Sequence, residues 1–255
     1  MTTGVVGCRG VRDHLSAALV VIGNEILSGK VTDTNTPFLA RELRSLGVSL
    51  GRVVVVPDDI TEIAACVAEF SGRFDVVFTS GGVGPTHDDI TMDGVAAAFG
   101  LPLVEHTELR FAIENFVGNR VNAAHLKMAR IPAGAVLIVD DKLAFPTVVV
   151  GNVYILPGIP ELFQAKVIGL RERFLARPYY LRQVLVRDNE TRIAEFLNAT
   201  LLAFPELLLG SYPKLSDPDY RVRLTLESKD ESYVDRALAD LVGRLPAGSV
   251  FRVES

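Results

Sequence analysis

Apolar positions along the chain fall into two kinds of run. Residues 17–23 (AALVVIG), 52–56 (RVVVV) and 74–79 (FDVVFT) are short and almost continuously apolar, as strands buried on both faces are. Between them, Phe38, Leu39, Leu43 and Leu46, then Ile63, Ala64, Val67 and Phe70, recur at helical spacing. Gly47 stands just past the first of these helices, where a helix commonly stops. A third helix is expected over 89–99, closed by Gly100 and Pro102. Alternating buried strands and amphipathic helices predict a parallel sheet with right-handed crossovers. Residues 107–130 read as helical and 135–139 as a strand. Residues 147–156 (TVVVGNVYIL) read as a hairpin about a Gly-Asn turn. LPGIPE then opens a helix to about Leu175.

The pattern changes at Arg177-Pro178. Strands over 181–187, 207–212, 220–228 and 250–253, with helices over 191–202 and 230–244, make a βαββαβ order. That order suits a small ferredoxin-like or KH-like α+β unit. The expected organisation is a leader over 1–16, an α/β domain over 17–176 and a small α+β domain over 177–255.

Composition narrows the class. With 255 residues, 49% of them hydrophobic, the chain can bury a sizeable core. No apolar run reaches ~18 residues, so no membrane span is expected. The leader lacks the apolar stretch of a secretory signal. A net charge of −5 gives no general attraction to nucleic acid. Cys8 lies in the leader and Cys66 on a helix face expected to be buried; no CxxC or Cys/His cluster appears, so neither zinc nor a disulfide framework is expected. These features fit a cytoplasmic protein.

The chemistry gathers at loops that follow strands. GGVGPTHDDIT (81–91) follows an expected strand and precedes a helix, which puts it at the carboxyl edge of a parallel sheet, where open α/β folds bind ligands. Ser80, Gly81, Gly82 and Gly84 can present backbone N–H groups to an anion, and the helix N-terminus adds to the attraction. Phosphate is the natural guest, although the spacing is neither G-x-G-x-x-G nor a Walker loop. The plainer alternative is a tight turn with Asp88 and Asp89 as helix caps. Acids beside a phosphate repel it unless a cation lies between, so Asp88, Asp89 and Asp93 suggest a hard divalent ion. GNEILSG (23–29, with Glu25) and VPDD (56–59) share that sheet edge. Glu25 could equally be a solvated acid, and Asp58 and Asp59 could cap the helix near Thr61. His87 could ligate metal, act as a base or contact ligand, and a solvated loop histidine is the commoner outcome. Gly158 in LPGIPE is either a second anion contact or part of a rigid turn. Gly210-Ser211-Tyr212-Pro213 is either a lip over a site or a surface turn.

IGNEILSG, VVPDD, TSGGVGPTHDDIT, NVYILPGIPELF and GSYP, in this order, resemble the MoaB/Mog-type molybdopterin-binding-domain superfamily. Within it they are similar to the CinA N-terminal group, and most to the molybdopterin-binding-like domain of animal FAD synthases. The resemblance runs from about Ser16 to the C-terminus. It implies a three-layer αβα sandwich with a mostly parallel sheet. It implies that the glycine loop holds a phosphate and that Asp58 and Asp89 match two aspartates needed for activity; Gly23 and Gly158 are the further candidate phosphate contacts, and Asp58 or His87 the candidate general bases. It further implies hydrolysis of the diphosphate of FAD or ADP-ribose, releasing AMP. That activity depends on a divalent metal (Mg, Mn or Co), helped by K⁺; the acids expected from their placement to hold it are Asp88, Asp89, Asp93 and Glu25. A non-catalytic module binding molybdopterin or a nucleotide is the alternative. The partner is then a small molecule, a dinucleotide or pterin, with neither nucleic acid nor membrane, and homo-oligomers are common in the family. Val83 stands where molybdenum-cofactor enzymes usually have Thr, and Asp88 where they have a base, which argues for metal binding over simple pterin handling. No amidase or adenylyltransferase pattern follows within these residues, so neither deamidation nor FAD synthesis is expected.

Overall fold

The computed structural model of the protein describes residues 12–140, 145–214 and 218–254. Residues 1–11 of the expected leader, with Cys8, lie outside the described residues. Arg12 already bridges to Ala176, Leu15 is buried, and the first strand begins at Ser16. The chain divides between Arg177 and Pro178 into two compact units.

In the first unit the strands are β1 (Ser16–Ile22), β2 (Ser49–Val56), β3 (Val76–Ser80), β4 (Leu103–Glu105), β5 (Arg130–Pro132), β6 (Val136–Ile138), β7 (Thr147–Val150) and β8 (Val153–Leu156). The helices are α1 (Asn24–Leu27), α2 (Asn35–Ser45), α3 (Ile60–Arg73), α4 (Thr91–Phe99), α5 (Thr107–Val117), α6 (Ala123–Lys127) and α7 (Pro160–Leu170). One sheet has the order β2-β1-β3-β8-β7-β6. Its first four strands are parallel, and the β7–β8 hairpin and β6 complete it antiparallel.

The continuous apolar run of β1 serves two cores at once. Ala18, Val20 and Ile22 pack with Ile63, Val67 and Phe70 of α3, Val95 of α4 and Ile113 of α5. Ala17, Leu19 and Val21 pack with Leu39 and Leu43 of α2 and with Phe163 and Val167 of α7. Side chains alternate across a strand, so both sheet faces are covered and the unit is a three-layer αβα sandwich. The largest fully buried groups include Phe70, Phe78 and Phe163; truncating such a ring costs about 3–5 kcal/mol.

The single helix expected over 107–130 is broken. α5 stops at Gly118, whose φ is 64°, and a 3-10 turn follows over Gly118–Arg120. Asn122 then starts α6 anew by accepting from His125 N at 3.1 Å. β5 closes the segment by pairing with β4.

The second unit contains β9 (Tyr180–Val186), α8 (Glu190–Ala203), β10 (Leu208–Pro213), β11 (Val222–Ser228), α9 (Glu231–Arg244) and β12 (Val250–Glu254). The strand order β10-β11-β9-β12, antiparallel throughout, is the ferredoxin-like arrangement. Val184, Val186, Leu224 and Leu226 pack under Ile193, Leu197, Val234 and Leu241. In GSYP, the Ser211 hydroxyl meets the Glu190 carboxylate, and the Arg223 guanidinium lies 5.2 Å from the Tyr212 ring centre. Among the described residues no helix is long and apolar enough to cross a membrane.

Candidate functional site

Parallel strands bring their carboxyl ends to one edge, so the loops after β1, β2, β3 and β8 converge there. The loop after β3 turns sharply. Gly81 has φ 109° and Gly82 φ 63°, conformations that L side chains rarely adopt. A Cβ at Gly81 would lie 2.2 Å from the Ile22 carbonyl oxygen, so the backbones of two neighbouring strands touch there. Gly81 N donates to Leu156 O at 3.2 Å. The Thr91 hydroxyl and amide donate to Gly81 O at 2.8 Å and Gly82 O at 3.0 Å. These bonds anchor the carbonyls of the loop, while among the described residues the N–H groups of Gly82, Val83 and Gly84 meet no acceptor.

The second loop is locked to the first by Asn35. Its amide donates to Ser80 Oγ at 3.0 Å and Gly158 O at 2.8 Å. Asn35 is 5% exposed, and its Oδ1 is buried without a partner among the described residues. A Cβ at Gly158 would come 3.2 Å from Gly81 Cα. Ser80 is buried behind the cradle rather than open to it.

The acids are distributed unevenly. Asp89 faces the loop: a Cβ at Gly84 would sit 2.7 Å from its Oδ2. That oxygen accepts from Thr86 N at 2.8 Å and from the Thr86 hydroxyl at 2.5 Å, and the same hydroxyl meets Asp88 Oδ1. One threonine hydroxyl thus stands between two carboxylates, and its single proton serves one of them at a time. The Thr86 hydroxyl, with His87 and Lys127 nearby, holds the Asp88 carboxyl below the usual carboxylate range. Lys127 of α6 donates to Thr86 O at 2.6 Å and Asp89 O at 2.8 Å, and so fixes the loop from across the chain. His87 is 97% exposed, with Nδ1 3.9 Å from Asp88 Oδ1.

A cleft of about 570 Å³ opens along this edge. Glu25, Gly81, Gly82, Gly84, Asp89 and Gly158 line its polar end. Asp93 does not line this cleft but an adjoining small hollow on the same glycine loop, with Gly82, Val83, Gly84, Asp89, Lys127 and Arg130. Gly23 is behind the wall, its N–H on Val56 O at 3.2 Å. Asp58 accepts from Asn24 N at 2.9 Å and so stabilises the start of α1 beside Glu25. It is Asp59 that caps α3, accepting from Thr61 N at 2.8 Å and Glu62 N at 3.0 Å. Among the described residues no three of His, Cys, Asp and Glu gather as a metal-binding group. Asp88 and Asp89 are paired through Thr86; Glu25 and Asp93 are not drawn into that pair.

Sequence reasoning missed Asn35, Thr86, Lys127 and Lys166. Lys166 lies on α7 between buried Phe163 and Leu170, at helical spacing from both, which is a legible sign of an inward lysine. Its amine donates to Phe145 O at 2.9 Å and Pro146 O at 3.1 Å, and it lines the far end of the cleft.

Comparisons with known proteins agree with this architecture. Residues 18–177 match the family described as "Probable molybdopterin binding domain", and residues 178–254 match "FAD synthase, middle domain". A protein of Archaeoglobus fulgidus is 33% identical over 220 residues, 86% of this chain and 93% of its own length. A "Probable FAD synthase" of Caenorhabditis elegans is 33% identical over 270 residues, 94% of this chain and 51% of its own length. A "CinA-like protein" of Myxococcus xanthus is 32% identical over 243 residues, 87% of this chain and 56% of its own. The chain thus spans about half the length of the FAD synthase and CinA-like relatives. The crystal structure of CinA from Thermoplasma acidophilum, of unknown function by its own description, superposes with a TM-score of 0.59 at 32% identity, covering 64% of this chain and 99% of that one. With residues 18–177 matched, this chain belongs to the molybdopterin-binding domain family, of the kind found in CinA-like proteins and FAD synthases.

Proposed function

We propose that the first unit is a metal-dependent nucleotide pyrophosphatase that hydrolyses the diphosphate of an ADP-containing dinucleotide, FAD or ADP-ribose, and releases AMP. One observation carries this reading: three successive N–H groups, of Gly82, Val83 and Gly84, are left without acceptors among the described residues, beside Asp89 in the wall of an open cleft. Such a nest favours an anion, and the carboxylate beside it favours an anion that arrives with a cation. The FAD synthase and CinA-like names of relatives support a nucleotide over other phosphates.

The donor set fits a hard divalent ion. Asp88 and Asp89 offer two carboxylates with the Thr86 hydroxyl between them, and ions such as Mg²⁺ commonly take one or two carboxylates and complete their shell with substrate phosphate and water. When bound, the ion supplies charge neutralisation and water activation. The glycine N–H groups hold one phosphate oxygen set and orient the phosphorus. Hydrolysis forms one phosphorus–oxygen bond from water and breaks the bridging one. The proton of the water leaves to a carboxylate or to solvent, and AMP departs with a second phosphate monoester. Asp89 is the acid nearest the cradle. Asp58 acts on Asn24 and the Glu25 loop, and is a positioning residue.

The absence of a three-ligand group among the described residues favours one rival, a carrier that binds pterin or nucleotide without turnover. Incubation with FAD or ADP-ribose plus Mn²⁺ or Co²⁺ separates the two. AMP release abolished by a chelator is the expected result. No AMP with either metal, with nucleotide or pterin still bound, overturns hydrolysis in favour of the carrier.

A further inference from the structure

The cleft is far larger than a phosphate needs. At about 570 Å³ it falls in the range of sites that enclose a whole small molecule. From the glycine cradle it runs on to Leu109, Ile113, Phe145, Val148, Ile155 and Leu162, a stretch without charge until Lys166. Phe145 is braced edge-to-face by Phe116, with ring centres 5.0 Å apart, so that wall is held. Two of the Lys166 N–H groups are well engaged by Phe145 O and Pro146 O. The third reaches Thr147 Oγ1 only at 3.4 Å, beyond good hydrogen-bond length, and can be given to another acceptor at little cost.

We infer that the apolar end is a ring subsite: it takes the flat heteroaromatic ring of the ligand whose phosphate lies in the cradle, and Lys166 donates to the ring's acceptor edge. This rests on the phosphate-binding part of the reading above and not on turnover. Apolar walls match an aromatic face, and a polar ring edge would otherwise be buried unpaired. A single donor, Lys166, among those apolar residues repays that burial. Desolvation lowers the Lys166 amine to about 8, against the opposing charge of Asp140, which faces it and raises it, so it is still mainly protonated near neutral pH. Within an ADP-containing dinucleotide two groups share this chemistry, adenine and a flavin ring.

The full chain is titrated by calorimetry with riboflavin and with adenosine, which carry rings and no phosphate, and with inorganic pyrophosphate, which carries no ring. At least one nucleoside-type probe is expected to bind. Lys166→Met should weaken it about ten-fold, the scale of a lost charged hydrogen bond, with pyrophosphate affinity unchanged. Leu162→Glu, on the exposed rim, should weaken the same probe without disturbing the core. Ring affinity should also fall between about pH 7 and about pH 9 as Lys166 loses its proton, and this fall should vanish in Lys166→Met. Whichever probe shows this behaviour identifies the ring. If neither binds, or if binding is equal in the three proteins, the subsite is overturned. A Lys166-dependent ring site without AMP release would leave the subsite standing and remove the hydrolase; AMP release with Lys166-independent ring binding would do the reverse.

Discussion

Asp58 and Asp59 follow β2, and Asp88 and Asp89 follow β3, at the same edge of the same sheet, yet the two pairs have different partners. Asp59 accepts from two backbone N–H groups at the start of α3, and Asp58 from one at the start of α1. Both are occupied with groups that every helix leaves unsatisfied. Asp88 and Asp89 share a single threonine hydroxyl and a single amide, and no helix is capped by either: the position before α4 belongs to Ile90, which makes no side-chain cap. The first pair anchors the starts of two helices through one oxygen each, and the second is held only by its own loop; all four carboxylates keep lone pairs unused. Helix capping therefore separates the two pairs by structural duty, and the proposed chemistry falls to the pair without one.

The strongest way to break this contrast is Asp89→Asn. The amide oxygen can still accept from Thr86 N, so the loop should keep its shape and the thermal midpoint should move little. The charge beside Gly84 is lost, and AMP release should fall by about 10²–10³, the scale for removing one group that stabilises developing charge. Turnover retained to within ten-fold would take Asp89 out of the reaction.

Asp59→Ala tests the opposite side with a smaller effect. It frees Thr61 N and Glu62 N together, and loss of such a cap costs about 1 kcal/mol, read as a lower urea midpoint. AMP release per folded molecule should stay unchanged. A loss of turnover matching that of Asp89→Asn would mean that the two pairs are not divided as their hydrogen bonds suggest.

How much of this division the sequence carried depends on distance along the chain. β1 and β3 were legible because burial on both faces leaves an uninterrupted apolar run, β2 by its valines although it is a largely exposed edge strand, and the glycine loop because only glycine tolerates the turn at Gly81. The capping role of Asp59 was one of two open readings, and it is the local one. Asn35 and Lys127 were not legible. They reach Ser80 and Asp89 across 45 and 38 residues, and such contacts are set by where a crossover lays its helix, not by local pattern. The false long helix over 107–130 has a related cause. Its residues suit a helix one by one, but Gly118 adopts a left-handed turn and Asn122 caps a new helix, and β5 gains its partner only through the fold.

Asp58→Asn is the subtlest test, because structure and family resemblance point in different directions. The resemblance aligns Asp58 with an aspartate needed for activity. In the structure its Oδ2 is bonded to Asn24 N, and it is Glu25, one residue on, that reaches the cleft. An asparagine oxygen can accept the same bond, so α1 should start in the same place and Glu25 should stay where it is. Stability should then change by less than about 0.5 kcal/mol, and turnover by no more than about two-fold. Asp58→Ala, which removes the acceptor, should show the larger loss of the two, and Asp58→Asn should rescue it. The reverse pattern, in which Asn is as poor as Ala and both match Asp89→Asn, would mean that the charge of Asp58 reaches the substrate. The contrast between the two pairs would then be one of resting hydrogen bonds alone.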